Sequence, residues 1–197
     1  MNKVSVSREE LMQYADNNIA FHGLDISRIS TVFISQIYQL GISGALNINA
    51  IMDEVKYLEG KREVSKTGAE KPFRGKLLKG LHKKHFSDAH FIMKNICLHL
   101  GVENGNTKNL DKILHEAAVK KDAGCPEHEI VNYLTHHLTA GAYQERSKKA
   151  LTGEWIVFKK HEGKNYYLVL AEHGNDELIS NYVRLAYEMD FNFLLNR

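Results

Sequence analysis

Apolar residues recur at helical spacing along most of the chain. Ser7-Arg8-Glu9-Glu10 has the form of a capping box and predicts a helix running to about Ala20. Ile26, Ile29, Phe33, Ile37 and Leu40 follow at three- and four-residue steps, with Gly41 where a left-handed C′ residue belongs. Ile48, Met52, Val55 and Leu58 stripe a third helix from about Ile48 to Glu59, closed by Gly60. These elements predict an N-terminal helical bundle over 1–60.

The pattern then breaks. Gly60, Gly68, Pro72, Gly75 and Gly80 interrupt any regular element, so 61–80 reads as a long loop or arm. Periodicity resumes near Leu81, where Phe86, Ala89, Met93, Ile96 and Leu100 predict a helix ending at Gly101. A helix over about Lys108–Asp122 follows, then one opened by Pro126 with Ile130, Leu134, Leu138 and Ala142 inward. After Gly153 the spacing changes. Glu154–His161 and Asn165–His173 are rich in β-branched and aromatic residues around Gly163-Lys164, which predicts a hairpin. Both its faces are apolar, so it should lie between layers. Asn175 opens a last helix carrying Ile179, Val183 and Ala186, and the tail 191–195 should tuck into the core. The expected class is α+β and mostly α-helical, about seven helices with a C-terminal hairpin, 154–173, inside an α+β domain over 81–197. The whole can equally form one domain.

Composition adds limits. A chain of 197 residues with 43% hydrophobic and 25% charged residues suits a soluble globular protein. Cys97 and Cys125, with no CxxC pair, read as free thiols of a reducing compartment. Met1–Glu10 lacks an apolar signal segment and no run suits a bilayer span, so a cytoplasmic location is expected. The phosphate-loop, dinucleotide and GxSxG motifs are absent, which argues against P-loop hydrolysis, dinucleotide redox and serine hydrolysis. No cofactor is expected.

Charge is unevenly spread. Between Gly60 and His85 stand nine basic and two acidic residues, a net +7, while the other 17 basic and 22 acidic residues leave −5. Such a concentrated field attracts polyanions. Lys71, Arg74, Lys76, Lys79, Lys83 and Lys84, with His82 and His85, are the candidate phosphate contacts; Phe73 and Phe86 are available to stack on bases. An acidic protein surface would suit the same charge. On the predicted helix, His82 and His85 share a face and can reach one zinc or one phosphate, given a further ligand from His136, His137 or Asp88. No HExxH motif occurs, since Val119 and Asn132 stand where His115 and His128 would need a partner, and no metal site is assigned.

In the register of a Gly163-Lys164 turn, His161 opposes Tyr166, Lys160 opposes Tyr167 and Glu154 opposes His173. A His–Glu pair suits general acid–base chemistry, and a lysine suits a charged transition state. Ordinary cross-strand pairing accounts for the same neighbours. The run from Gly153 to Leu168, after a helical preamble, resembles small nuclease toxins of the RelE/barnase/colicin-type group over about residues 150–190. The resemblance implies a four-stranded sheet and metal-independent RNA cleavage, with Lys160, His161, Tyr166 or His173 in the cleft. The catalytic candidates are His161, His173, Lys160, Tyr166 and Glu154. The expectation is a nucleic-acid-binding protein of bacterial or phage type with RNA cleavage as its catalytic form. The alternative is an inhibitor or immunity-type protein that docks on an acidic partner.

Overall fold

The computed structural model describes residues 6–44, 46–86, 91–103, 105–149 and 154–195. The elements in chain order are α1 (Arg8–Asn17), α2 (Thr31–Ser43), α3 (Ile48–Leu58), β1 (Lys71–Pro72), β2 (His82–His85), α4 (Phe91–Leu100), α5 (Lys108–Asp122), α6 (Glu127–Leu138), α7 (Ala140–Lys149), β3 (Trp155–His161), β4 (Lys164–Ala171) and α8 (Asp176–Asp190). The fold is therefore α+β and mostly helical, as the pattern predicts. It divides into two compact units, 1–88 with 153–197, and 89–152. The N-terminal helices and the hairpin thus share one unit.

The first unit is built on an antiparallel sheet in the order β1-β2-β3-β4. The expected hairpin is present, but Glu162 and Gly163 form its turn, with φ of 50° and 75°. Two central residues at positive φ match the twist of flanking strands. This turn pairs His161 with Lys164, Lys160 with Asn165, Lys159 with Tyr166 and Phe158 with Tyr167; beyond a bulge, Val157 meets Val169 and Trp155 meets Ala171. The expected pairs of His161 with Tyr166, Lys160 with Tyr167 and Glu154 with His173 are replaced by this register.

Helices cover both faces of the hairpin. On one, Trp155, Val157, Leu168 and Val169 pack with Ile179, Val183 and Ala186 of α8, and with Phe191 and Leu194 of the tail. On the other, Ile156, Phe158 and Tyr167 are wholly or almost wholly buried, and Tyr167 stacks obliquely on Phe33 of α2. Ser30 caps α2. Its Oγ accepts from the Phe33 amide at 3.0 Å and donates to the Leu168 carbonyl at 2.5 Å. Asp190, at the end of α8, accepts from the Thr31 amide and hydroxyl at 2.8 Å each, placing a carboxylate at the positive end of α2. The Gln36 amide bonds both ways to the Leu170 backbone, at 2.9 and 2.7 Å. It thereby covers part of the outer edge of β4, as a neighbouring strand would.

A polar group under α3 ties helix to sheet. Glu59 accepts from Arg28 at 2.5 Å, from Tyr167 Oη at 2.7 Å and from Asn165 at 3.1 Å. Burial alone raises the pKa of Glu59, but these hydrogen bonds outweigh it and hold the carboxyl below its ordinary range. Burial, then the bond to Glu59, pushes the Tyr167 phenol far up.

Two expected helices are corrected. The second starts at Thr31, with Ile26–Arg28 a separate 3₁₀ turn, and its left-handed cap is Gly44 rather than Gly41. Of the helix expected from Leu81, 82–85 is a strand instead, and Phe91–Leu100 is helical. Met93, placed on its buried stripe, is 67% exposed, while Phe86, Ile96 and Leu100 are buried. Asp88, Ala89 and His90 lie outside the described residues. In the second unit Ile96, Leu100, Ile113 and Ala142 form the core, and the helix opened by Pro126 ends at Leu138, with α7 following as a separate element. Among the described residues no helix is long and apolar enough to cross a membrane.

Candidate nucleic-acid interface

The basic segment is folded onto the sheet. Phe73, Leu78 and Leu81 are 7, 1 and 5% exposed and join the core under α8. The Phe73 amide bonds to the Leu81 carbonyl at 2.9 Å, closing the loop between β1 and β2. β2 pairs with both neighbours, Lys83 opposite Lys71 on one side and Val157 on the other.

Strand alternation sends the two adjacent lysines of β2 to opposite faces. Lys84 points under α3 and is entirely buried. Its Nζ lies 3.0 Å from Glu54 Oε2, 2.6 Å from Ser65 Oγ, 2.9 Å from Thr67 Oγ1 and 2.7 Å from the Gly68 carbonyl. Glu54 also accepts from the Ser65 hydroxyl at 2.7 Å and the Lys66 amide at 2.9 Å. Lys84 was expected on the phosphate-facing surface; it is an internal anchor for 65–68 instead. Lys83 lies on the other face, with Nζ 3.6 Å from the centre of the Trp155 ring and 4.7 Å from that of Phe73. Burial, and then Lys71 against the opposing pull of Asp176, leave its pKa lowered.

Of the remaining candidates, Lys71, Arg74, Lys76 and Lys79 are exposed, as is Lys66. None of these five makes an ion pair among the described residues. Arg62 is held by Asp53, and Lys160 by Glu70. His82 and His85, three apart in a strand rather than a helix, face opposite sides of the sheet. His82 packs on Phe158, and His85 accepts from Trp155 Nε1 at 3.2 Å. Burial, then nearby Lys160, lower the pKa of His82, and its buried Nδ1 has no hydrogen-bond partner. One zinc or phosphate shared by these two histidines is thereby ruled out. Among the described residues no three His, Cys, Asp or Glu side chains gather as a metal-holding group. Phe86, proposed to stack on bases, is 1% exposed.

The five catalytic candidates fall at two ends of the hairpin. His161, Lys160 and Tyr166 are at the turn, where His161 packs between Tyr166 and Phe193. Glu154 and His173 are at the other end, about 20 Å away along the strand. There the structure assembles a group that crosses the expected categories. The His173 ring lies 4.2 Å from Trp155 and stacks on His85 at 5.2 Å with the two planes 28° apart, and Lys83 covers Trp155. Glu154 and His173 line one cavity of about 630 Å³. Trp155 is the residue that organises this group, and its apolar pattern in the sequence indicated only a core position. Comparison of the chain with protein-family models, with curated proteins and with solved structures finds no match.

Proposed function

We propose that the protein binds nucleic acid through phosphate contacts from the loop around β1, with Lys71, Arg74, Lys76 and Lys79 as its contacts and Lys66 and Lys83 flanking them. The observation that carries this reading is a run of exposed bases with no ion pair to an acidic side chain among the described residues, fixed to a sheet by three buried apolar side chains and by Lys84. An ordered cationic loop keeps its charges at set spacing, so binding loses less conformational entropy than a mobile tail would. Arg74 adds a fork able to bond a phosphate twice.

RNA cleavage is the second reading, and one observation favours it. Two imidazoles, His85 and His173, lie side by side with a lysine across the same indole. A base for the 2′-hydroxyl, an acid for the leaving oxygen and a cation for the transition state are what metal-free cleavage needs. In this reading His173 and His85 replace His161 as the working pair, and the resemblance to nuclease toxins remains part of the proposal.

The test is an anisotropy titration of the full chain against labelled single-stranded RNA and duplex DNA at two salt concentrations, followed by a denaturing gel. Affinity should fall steeply with salt, the slope counting the phosphates engaged. Arg74→Glu, Lys76→Glu and Lys79→Glu combined should remove binding, and unchanged affinity would refute the loop as the contact. Cleavage lost in His173→Ala with RNA affinity retained would support the second reading. Intact RNA with the unaltered protein would reject it.

A further inference from the structure

Two cavities lie side by side on the first unit, between α2 and α8. One, of about 630 Å³, is lined by Leu40, Leu170, Leu178 and Tyr182, with Glu154 and Glu172 as its acidic residues. The other, of about 390 Å³, is lined by Leu11, Val32, Leu185 and Met189. Gln36, Gln39 and Tyr182 line both, so they form one continuous groove. Along it, α8 presents Leu178, Tyr182, Leu185 and Met189, at steps of four, three and four residues, each 41–47% exposed. That is a second apolar stripe on a helix whose first stripe, Ile179, Val183 and Ala186, already faces the core. A surface helix needs one such stripe to fold; a second, beside a concave surface, fits a recognition groove.

We propose that this groove receives an amphipathic helix of a partner protein, with basic residues flanking its apolar face. The stripe extends about 16 Å, close to three helical turns. Charge selects the partner. α8 carries Asp176, Glu177, Glu188 and Asp190 against Arg184; Arg8, in the wall of the smaller cavity, is paired with Asp190 at 2.8 Å, and Glu154 and Glu172 keep the balance at the groove acidic. A second copy is disfavoured on the same ground. Two α8 helices packed antiparallel would set Asp176 and Glu177 against Glu188, which repel. The groove shares no lining residue with the basic loop, so loop contacts to phosphate stay open when it is filled, but it includes His173, so an occupant would compete with RNA for the group of the second reading.

The experiment uses the full chain and a labelled synthetic Leu/Lys peptide of about five helical turns, read by anisotropy. The same peptide with Glu in place of Lys is the charge control. Binding of the Lys form should weaken at least about tenfold in Tyr182→Ser/Leu185→Ser, which removes apolar contact without changing charge, and in Leu178→Lys, which probes the other end of the groove. Ile19→Glu, at a residue 82% exposed and outside both cavity linings, should bind normally. Circular dichroism checks folding, and Leu178→Lys carries the test if the double variant unfolds. Equal binding by every variant, equal binding of the Glu peptide, or no binding would each overturn the proposal. A concentration-dependent dimer in sedimentation, lost in the groove variants, would overturn it in favour of self-association.

Discussion

Replacing Lys84 by methionine tests how the basic loop is held. Methionine keeps most of the lysine stem's volume, so packing loss is small and the effect isolates the charge. The substitution removes an ion pair at 3.0 Å between side chains that are 0 and 3% exposed, together with hydrogen bonds to Ser65, Thr67 and Gly68. Glu54 is left buried without its cation, its bonds among the described residues being those from the Ser65 hydroxyl and the Lys66 amide. Breaking one side of a buried pair costs about 3–5 kcal/mol, a large part of a total stability of about 5–15 kcal/mol. Urea denaturation followed by circular dichroism measures it. Adding Glu54→Gln should return at least about 2 kcal/mol relative to the sum of the single changes, because no uncompensated charge then remains. Trypsin should also cut faster at Lys61, Arg62 and Lys66 in Lys84→Met, since the segment that Lys84 anchors opens locally. A loss below about 1 kcal/mol, with unchanged proteolysis, would refute the anchoring role.

The Glu59 carboxyl is held below its ordinary range by Arg28, Tyr167 and Asn165 against the opposing effect of burial. A depressed carboxyl pKa contributes stability that is full above the unfolded value of about 4.3 and is lost as pH falls through the folded value. Glu59→Gln should therefore flatten the acid limb of a stability–pH curve, and an unchanged limb would count against this. His82 is also depressed, by burial and Lys160, from its ordinary 6.5. Its contribution is full above that value and declines as pH drops below it, so His82→Phe should reduce the stability loss between neutral and mildly acidic pH in thermal melts. Ser30→Ala removes both the α2 cap and the bond to Leu168 and should cost about 1–2 kcal/mol in denaturant titrations.

The helical parts of the fold were legible because their apolar stripes and caps are local signals. Ser7 and Glu10 form the capping box, the Ser7 Oγ accepting from Glu10 and the Glu10 carboxylate accepting from Ser7. The hairpin was legible too, yet its register was not. That depended on Glu162 taking positive φ, a conformation a glutamate seldom adopts, so Gly163-Lys164 looked the better turn. One residue of slip there moved each expected partner of His161 and Lys160.

The strand β2 stayed hidden for a different reason. A buried strand is recognised by apolar residues at alternate positions, and His82-Lys83-Lys84-His85 has none. Its inward charge is neutralised by Glu54, which lies far away in sequence, and its other lysine is covered by Trp155 and Phe73. Pairing supplied from elsewhere in the chain is invisible to composition, so the structural Lys84 was counted with the solvated lysines. The same property brought His85 and His173 together. Their proximity arises from β2 pairing with β3 and β3 with β4, two non-local steps that neither histidine's neighbours encode. The exposed bases needed no such partner, and that is why Lys71, Arg74, Lys76 and Lys79 could be picked out from sequence as a surface group while Lys84 could not be separated from them.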